Sequence, residues 1–122
     1  MTDLYKENIL QHYKNPKNFG SLKKPTFTGS LNNPLCGDTL ILDIMVEQGK
    51  VSDIKFRGEG CAISVASSSI LFDYLKGKSL KQIDKLSKPF MEKLINVKIS
   101  VGRVKCLMLP VNAILKILEK KL

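Results

Sequence analysis

Apolar and polar residues alternate along two neighbouring stretches of the chain, residues 38–47 and 51–57. A strict alternation over this length predicts β-strands with one buried face. QGK (48–50) offers a glycine for the turn between them, so the two stretches predict an antiparallel hairpin. We expect GEG (58–60) to break the second strand, and Asp43 to lie on the face opposite the apolar one. That apolar face consists of Leu40, Leu42, Ile44, Val46, Ile54 and Phe56.

Helical spacing dominates outside the hairpin. A weak strand candidate, residues 26–31, precedes the hairpin, and the remaining periodic segments follow a spacing of three to four residues. We expect the last helix to begin near Leu107, because Pro110 fits only the first turn of a helix, and this leaves Cys106 at the helix cap. Strands early and helices late predict an α+β fold with helices packed on one face of a small antiparallel sheet. The other predicted helices span residues 3–15, 61–77, 79–87 and 88–96.

The size of the chain fits one compact unit. It has 122 residues, of which 43% are hydrophobic, and this is enough for a core without disulfide bonds. We therefore expect a single domain over residues 1–122. No apolar run approaches the ~18 residues of a membrane span, and MTDLYKENIL does not resemble a signal peptide. The expected location is the cytoplasm, with no membrane partner.

Basic residues outnumber acidic ones, and the formal net charge is +9. The excess comes from lysines scattered along the chain, and Arg57 and Arg103 are the two arginines. Aromatic residues are few and are not interleaved with the basic residues. Nucleic-acid binding usually needs a basic stripe or cluster, so this pattern favours solubility and attraction to an acidic partner. Nucleic acid is therefore not expected as a partner.

Three cysteines, Cys36, Cys61 and Cys106, lie 25 and 45 residues apart without a CxxC pair. The odd number argues against a disulfide framework, and a reducing cytoplasm leaves thiols or metal ligands. Each cysteine falls at the end of a predicted element. Helix N-termini favour the thiolate at Cys61 and Cys106, and Lys105 adds positive charge there. In an extended NPLCGDTL segment, Cys36 and Asp38 point the same way, so three thiolates and one carboxylate can form a four-ligand site suited to zinc.

Purely structural interpretations of these residues stay open. A single cysteine is often only a small buried apolar residue, and a three-cysteine zinc site can be purely structural. His12 is interpreted as a surface or packing residue of the first helix. Glu59, beside Cys61, is interpreted as a solvated turn residue.

Four stretches carry a resemblance to a known family: LYKENILQHYKNPKNFG, NPLCGDTL, FRGEGCAISVASSSIL and GRVKCLMLPVNAIL. They cover most of the chain and are similar, in the same order, to the IscU/SufU iron–sulfur cluster assembly scaffolds, which are related to the N-terminal domain of NifU. The resemblance implies a three-stranded antiparallel sheet covered by helices. It implies a metal or cluster site formed by Cys36, Asp38, Cys61 and Cys106. The implied partners are a cysteine desulfurase of the SufS or IscS type and apo iron–sulfur proteins or downstream cluster carriers.

Two subtypes of the family differ in chemistry. SufU-like members hold zinc and accept sulfur, whereas IscU-like members assemble a [2Fe–2S] cluster and pass it on. The absence of an LPPVK-like motif and the presence of Lys105, where IscU-like members usually carry histidine, favour SufU. The 45-residue spacing between Cys61 and Cys106 lacks the insertion typical of SufU and resembles IscU. We expect the SufU-like chemistry, with a zinc-dependent sulfur carrier rather than a stand-alone enzyme. Cys36 is then the sulfur acceptor, and Cys106 is the alternative acceptor in the IscU-like case.

Overall fold

The protein is described by a computed structural model that covers residues 3–33 and 37–118. Side chains are described from Glu7 onward. The regular elements are α1 (Asp3–Lys14), β1 (Phe27–Asn33), β2 (Asp38–Glu47), β3 (Lys50–Glu59), α2 (Ala62–Leu75), a 3₁₀ turn (Leu80–Lys85), α3 (Lys88–Ile95), a second 3₁₀ turn (Val101–Arg103) and α4 (Val104–Ile117).

The strands form one antiparallel sheet in the order β1-β2-β3. The predicted hairpin is confirmed, and its turn uses left-handed backbone at Gln48 (φ 52°) and Gly49 (φ 74°). Such φ values at both central residues match the right-handed twist of the flanking strands. The expected break at GEG is wrong by two residues, because Gly58 (φ 133°) still pairs with Leu40 and Glu59 with Thr39. The α+β fold class is confirmed.

Helices cover one face of the sheet. Leu42, Ile44 and Ile54 are fully buried on that face, and α4 lies against β1 and β2. Helix α2 contacts both α1 and α4. The run of small residues from Ala66 to Ser69 is buried, and small side chains allow α2 to pack closely against its neighbours. The cysteine-bearing ends of α2 and α4 are thereby fixed relative to the sheet.

The expected start of the last helix is wrong. Helix α4 begins at Val104, so Pro110 lies in its interior and Cys106 in its first turn rather than at its cap. Proline has no N–H to donate to the carbonyl four residues back, which normally disfavours this position. Burial of the apolar face of α4 offsets that cost, because Leu107 and Ile114 are fully buried. Tertiary packing therefore extends the helix by one turn toward Cys106.

The opposite face of the sheet contains a buried carboxylate. Asp43 lies on the face that the alternation assigned to it, yet it is only 3% exposed. Its side chain accepts hydrogen bonds from the Leu22 amide (3.0 Å), the Thr28 hydroxyl (2.5 Å) and the Arg57 guanidinium (3.0 Å). Arg57 also donates to the Gly20 carbonyl at 3.2 Å. These bonds fasten the segment before β1 onto the sheet.

The stability contributed by Asp43 should depend on pH. Burial alone would raise the pKa of Asp43, but the bonds from Thr28, Leu22 and Arg57 together hold that pKa below its usual value. A carboxyl whose pKa is lower in the folded state stabilises the fold above its unfolded pKa of roughly 4, and loses that contribution as pH falls through the folded value. We expect Asp43→Asn to lower the free energy of unfolding by on the order of 2 kcal/mol at neutral pH, and by less in acid.

Urea unfolding at several pH values measures this effect. Glu47→Gln is the matched control, because Glu47 is exposed in the same strand. The role assigned to Asp43 would be contradicted if the Asp43→Asn and unchanged proteins differed in free energy of unfolding by the same amount at neutral and at acid pH.

Candidate metal centre

Three elements bring a carboxylate and two thiols to one point. Asp38 is the first residue of β2, Cys61 is the N-cap of α2, and Cys106 lies in the first turn of α4. One potential ligand atom from each residue lies within 4.8 Å of the others. Among the side chains of residues 7–33 and 37–118, no other group of three or more such residues comes together in this way. Side chains of these types at these distances could hold a metal ion.

The carboxylate of Asp38 is tied to the start of α2. Its Oδ1 atom accepts a hydrogen bond from the Cys61 amide at 3.1 Å, so it satisfies one of the amide groups at the start of the helix. The Ser64 hydroxyl donates to the Cys61 carbonyl at 3.1 Å. Gly60 makes this approach possible, since a Cβ there would lie 2.3 Å from Ser64 Oγ and 3.3 Å from Asp38 Oδ1. A side chain at residue 60 would therefore displace its neighbours.

The second carboxylate oxygen of Asp38 fits a cation. Asp38 is 2% exposed, and its Oδ2 atom has no hydrogen-bond partner among the described residues. A buried carboxylate oxygen without a partner is costly unless a donor or a metal completes it. Cys106 is buried beside it, and Cys61 is half-buried. Two sulfurs and one carboxylate oxygen are ligands that zinc accepts. The donor set therefore fits zinc with one further ligand to be supplied.

Cys36, predicted as that further ligand and as the sulfur acceptor, lies outside the described residues. The residues on either side of this segment are described, and the Gly37 amide donates to the Asn33 carbonyl at 2.9 Å. Gly37 has a φ of 71°, which favours glycine at this position. The metal-binding roles of Cys36, Asp38, Cys61 and Cys106 stay predictions.

The two residues that sequence analysis set aside lie elsewhere. His12 contacts the Ser69 hydroxyl through Nδ1 at 2.7 Å and helps pack α1 against α2. Burial, together with the charge of Lys17, lowers the pKa of His12 against the opposing effect of Asp73. Glu59 is exposed at the end of β3.

Sequence reasoning missed three residues around the site. Gly60 and Ser64 shape the turn at Cys61, and only the GEG pattern pointed to this turn. Asn33 is buried directly across the sheet from Asp38, and no sequence signal separated it from its neighbour Asn32. Arg57, four residues before Cys61 in sequence, donates a hydrogen bond to Asp43 on the opposite face of the sheet.

Two thiols and a carboxylate gathered at one end of an antiparallel sheet that helices cover define an α+β protein with a candidate metal centre. Comparison with protein families matches residues 4–120 to the NifU-like N-terminal domain. The chain belongs to this family.

The relatives of this chain include proteins named IscU and proteins named SufU. The chain is 40% identical over 115 residues to the iron–sulfur cluster assembly enzyme IscU of Drosophila melanogaster, a match that covers 91% of this chain and 73% of that protein. It is 42% identical over 89 residues to the zinc-dependent sulfurtransferase SufU of Bacillus subtilis, covering 73% of this chain and 60% of that protein. The match to the scaffold protein IscU 1 of Archaeoglobus fulgidus is 33% identical and covers 70% of this chain and 56% of that protein.

Solved structures share the fold. The putative SUF-system scaffold protein SufU of Fervidobacterium islandicum superposes with a TM-score of 0.78 at 26% identity, covering 92% of this chain and 94% of that one. The N-terminal NifU-like protein of Brucella abortus has the same TM-score at 20% identity, covering 97% and 94%, and supports the fold alone. Among the described residues, no helix has the length and apolar character needed to cross a membrane.

Proposed function

We propose that this chain is an iron–sulfur cluster assembly protein that accepts sulfur from a cysteine desulfurase at a zinc site. The ligands are Cys36, Asp38, Cys61 and Cys106, in one domain over residues 1–122. The observation that carries the proposal is the approach of Asp38, Cys61 and Cys106 to within 4.8 Å. The named IscU and SufU relatives support the same function.

The site residues suit a zinc centre that must release one of its ligands. When bound, zinc keeps the cysteine sulfurs deprotonated at neutral pH. Cys61 and Cys106 lie in or beside the first turns of α2 and α4, which the helix packing holds against the sheet. Asp38 is the weaker, oxygen ligand, and the Cys61 amide can retain its carboxylate after the metal bond is released. The carboxylate is therefore the ligand that exchanges at least cost.

Sulfur transfer needs one nucleophilic thiolate, and Cys36 is our choice. It lies between Pro34 and Gly37 in sequence, whereas Cys61 and Cys106 belong to packed helix ends. The Cys36 thiolate attacks the outer sulfur of the desulfurase persulfide. That sulfur forms a new S–S bond to Cys36 while the old S–S bond breaks and the desulfurase cysteine leaves as a thiolate. No external oxidant or reductant is consumed.

An IscU-like scaffold is the second candidate. The 45-residue spacing between Cys61 and Cys106 and the 115-residue match to the Drosophila IscU favour it. In that case a [2Fe–2S] cluster is the cargo held by the three cysteines, and Cys106 is the acceptor. Delivery to apo iron–sulfur proteins or downstream carriers would follow.

The proposal includes a cytoplasmic location, because working thiolates need a reducing compartment. The excess of lysines, with a net charge of +9, suits docking to an acidic face of the partner desulfurase.

Metal analysis of protein purified without oxygen tests the proposal. We expect one zinc per chain, with no iron or acid-labile sulfide, and loss of zinc in Cys61→Ala and Cys106→Ala. Asn112→Ala, an exposed position of α4, is the matched control and should retain zinc. Iron and sulfide in equal amounts in the unchanged protein would favour the IscU-like candidate. Absence of both zinc and iron, in protein that also binds neither on reconstitution, would contradict both candidates.

A further inference from the structure

A second buried polar side chain lies opposite Asp38 in the sheet. Asn33, the last residue of β1, is the antiparallel partner of Asp38, the first residue of β2. Side chains of directly opposed residues project from the same face of a sheet and are near neighbours. Asn33 is 7% exposed and Asp38 is 2% exposed, so both side chains are withdrawn from water.

Within the part of the chain that the structure describes, each of the two side chains has one polar atom without a hydrogen-bond partner, and the two atoms are complementary. The atom on Asn33 is Nδ2, which carries two N–H donors, and the atom on Asp38 is Oδ2, which accepts. Buried donors and acceptors are usually paired, because leaving them unpaired loses their hydrogen bonds to water. A hydrogen bond between this donor and this acceptor on facing residues would satisfy both atoms.

We propose that Asn33 is a positioning residue of the metal centre, whose carboxamide donates to Asp38 Oδ2 when the ligands close. The inference rests on the metal-binding function proposed above. Asp38 Oδ1 is already held by the Cys61 amide at 3.1 Å. A second donor on Oδ2 fixes the rotation of the carboxylate, and the lone pairs that remain stay available to the ion. Hydrogen bonds to ligating carboxylates orient such ligands and tune the affinity for the metal.

The backbone of Asn33 supports this position. Its carbonyl accepts from the Gly37 amide at 2.9 Å, so the residue is held at the junction between β1 and the start of β2. The preceding residue, Asn32, has the same side chain but is exposed. The chain therefore supplies a matched control one residue away, with identical chemistry and no access to Asp38.

Zinc affinity, measured by competition with a chromophoric chelator, tests the inference. We expect Asn33→Ala to weaken zinc binding by about tenfold or more, the usual effect of removing an outer hydrogen bond to a metal ligand. Asn32→Ala should leave the affinity unchanged. In an Asp38→Ala background, Asn33→Ala should add no further loss, because its effect acts through the carboxylate. The absorption spectrum of the cobalt-substituted protein should also change in Asn33→Ala and not in Asn32→Ala.

Two results would overturn the positioning role alone. One is unchanged zinc affinity in Asn33→Ala, and the other is a loss that persists in full when Asp38 is already alanine. An equal fall in melting temperature of the zinc-free and zinc-loaded Asn33→Ala proteins, without a change in affinity, would assign Asn33 to the fold only. Failure of the unchanged protein to bind zinc would instead overturn the proposed metal centre together with this inference.

Discussion

Zinc is expected to raise the melting temperature of this protein by on the order of 10 °C, and a strong chelator should reverse the increase. Asp38, Cys61 and Cys106 belong to three different elements, so an ion bound to them links β2, α2 and α4 in the folded state only. Ligand at about a thousand times its dissociation constant stabilises a fold by roughly 4 kcal/mol. In a chain of this size each kcal/mol shifts the melting temperature by several degrees.

Thermal unfolding followed by circular dichroism, with and without chelator, measures the shift. Cys61→Ala, which removes one ligand, should melt at the same temperature in both conditions. If chelation removes zinc from the unchanged protein and its melting temperature does not move, the ion is not coupled to folding.

Loss of Cys36 is expected to reduce stimulation of a cysteine desulfurase to the level of the desulfurase alone. Its thiolate is the proposed nucleophile, and alanine offers no sulfur to attack the persulfide. Turnover should be measured with Cys36→Ala, Cys61→Ala and Cys106→Ala proteins, with persulfide on the acceptor detected by mass spectrometry. Zinc content must be determined for each variant, because lost metal and lost nucleophile both abolish activity.

Two comparisons make this experiment decisive. Asn32→Ala, exposed in β1, should stimulate the desulfurase as the unchanged protein does. Stimulation and persulfide that survive in Cys36→Ala but vanish in a zinc-replete Cys106→Ala would reject Cys36 as the acceptor. That result would also move the protein from the SufU-like to the IscU-like subtype.

Much of the architecture could be read from local patterns. The alternation at residues 38–47 matched β2 residue for residue, and the helix predicted over residues 88–96 corresponds to α3, with Pro89 in its first turn. These features depend on nearest neighbours, such as the fixed φ of proline or the two-residue repeat of a strand. The predicted ends of the helices and strands were less accurate, because packing decides how far a helix or strand continues.

Helix α4 illustrates how packing overrides a local preference. Pro110 alone argued for a start near Leu107, but burial of Leu107 and Ile114 extends the helix back to Val104. The consequence reaches the site, since Cys106 becomes part of the first helical turn. The contacts between α4 and the sheet stabilise this longer helix, and a local sequence pattern does not reveal them.

The sequence by itself determined the hairpin, the α+β class and the identity of the candidate ligands, because these follow from periodicity and from residue chemistry. Only the tertiary structure decided that Asp38, Cys61 and Cys106 meet within 4.8 Å, that Asp38 binds the Cys61 amide, and that Asn33 faces Asp38. It also decided that Arg57 donates to Asp43. These relations join residues far apart in the chain, and strand register and helix packing set their distances.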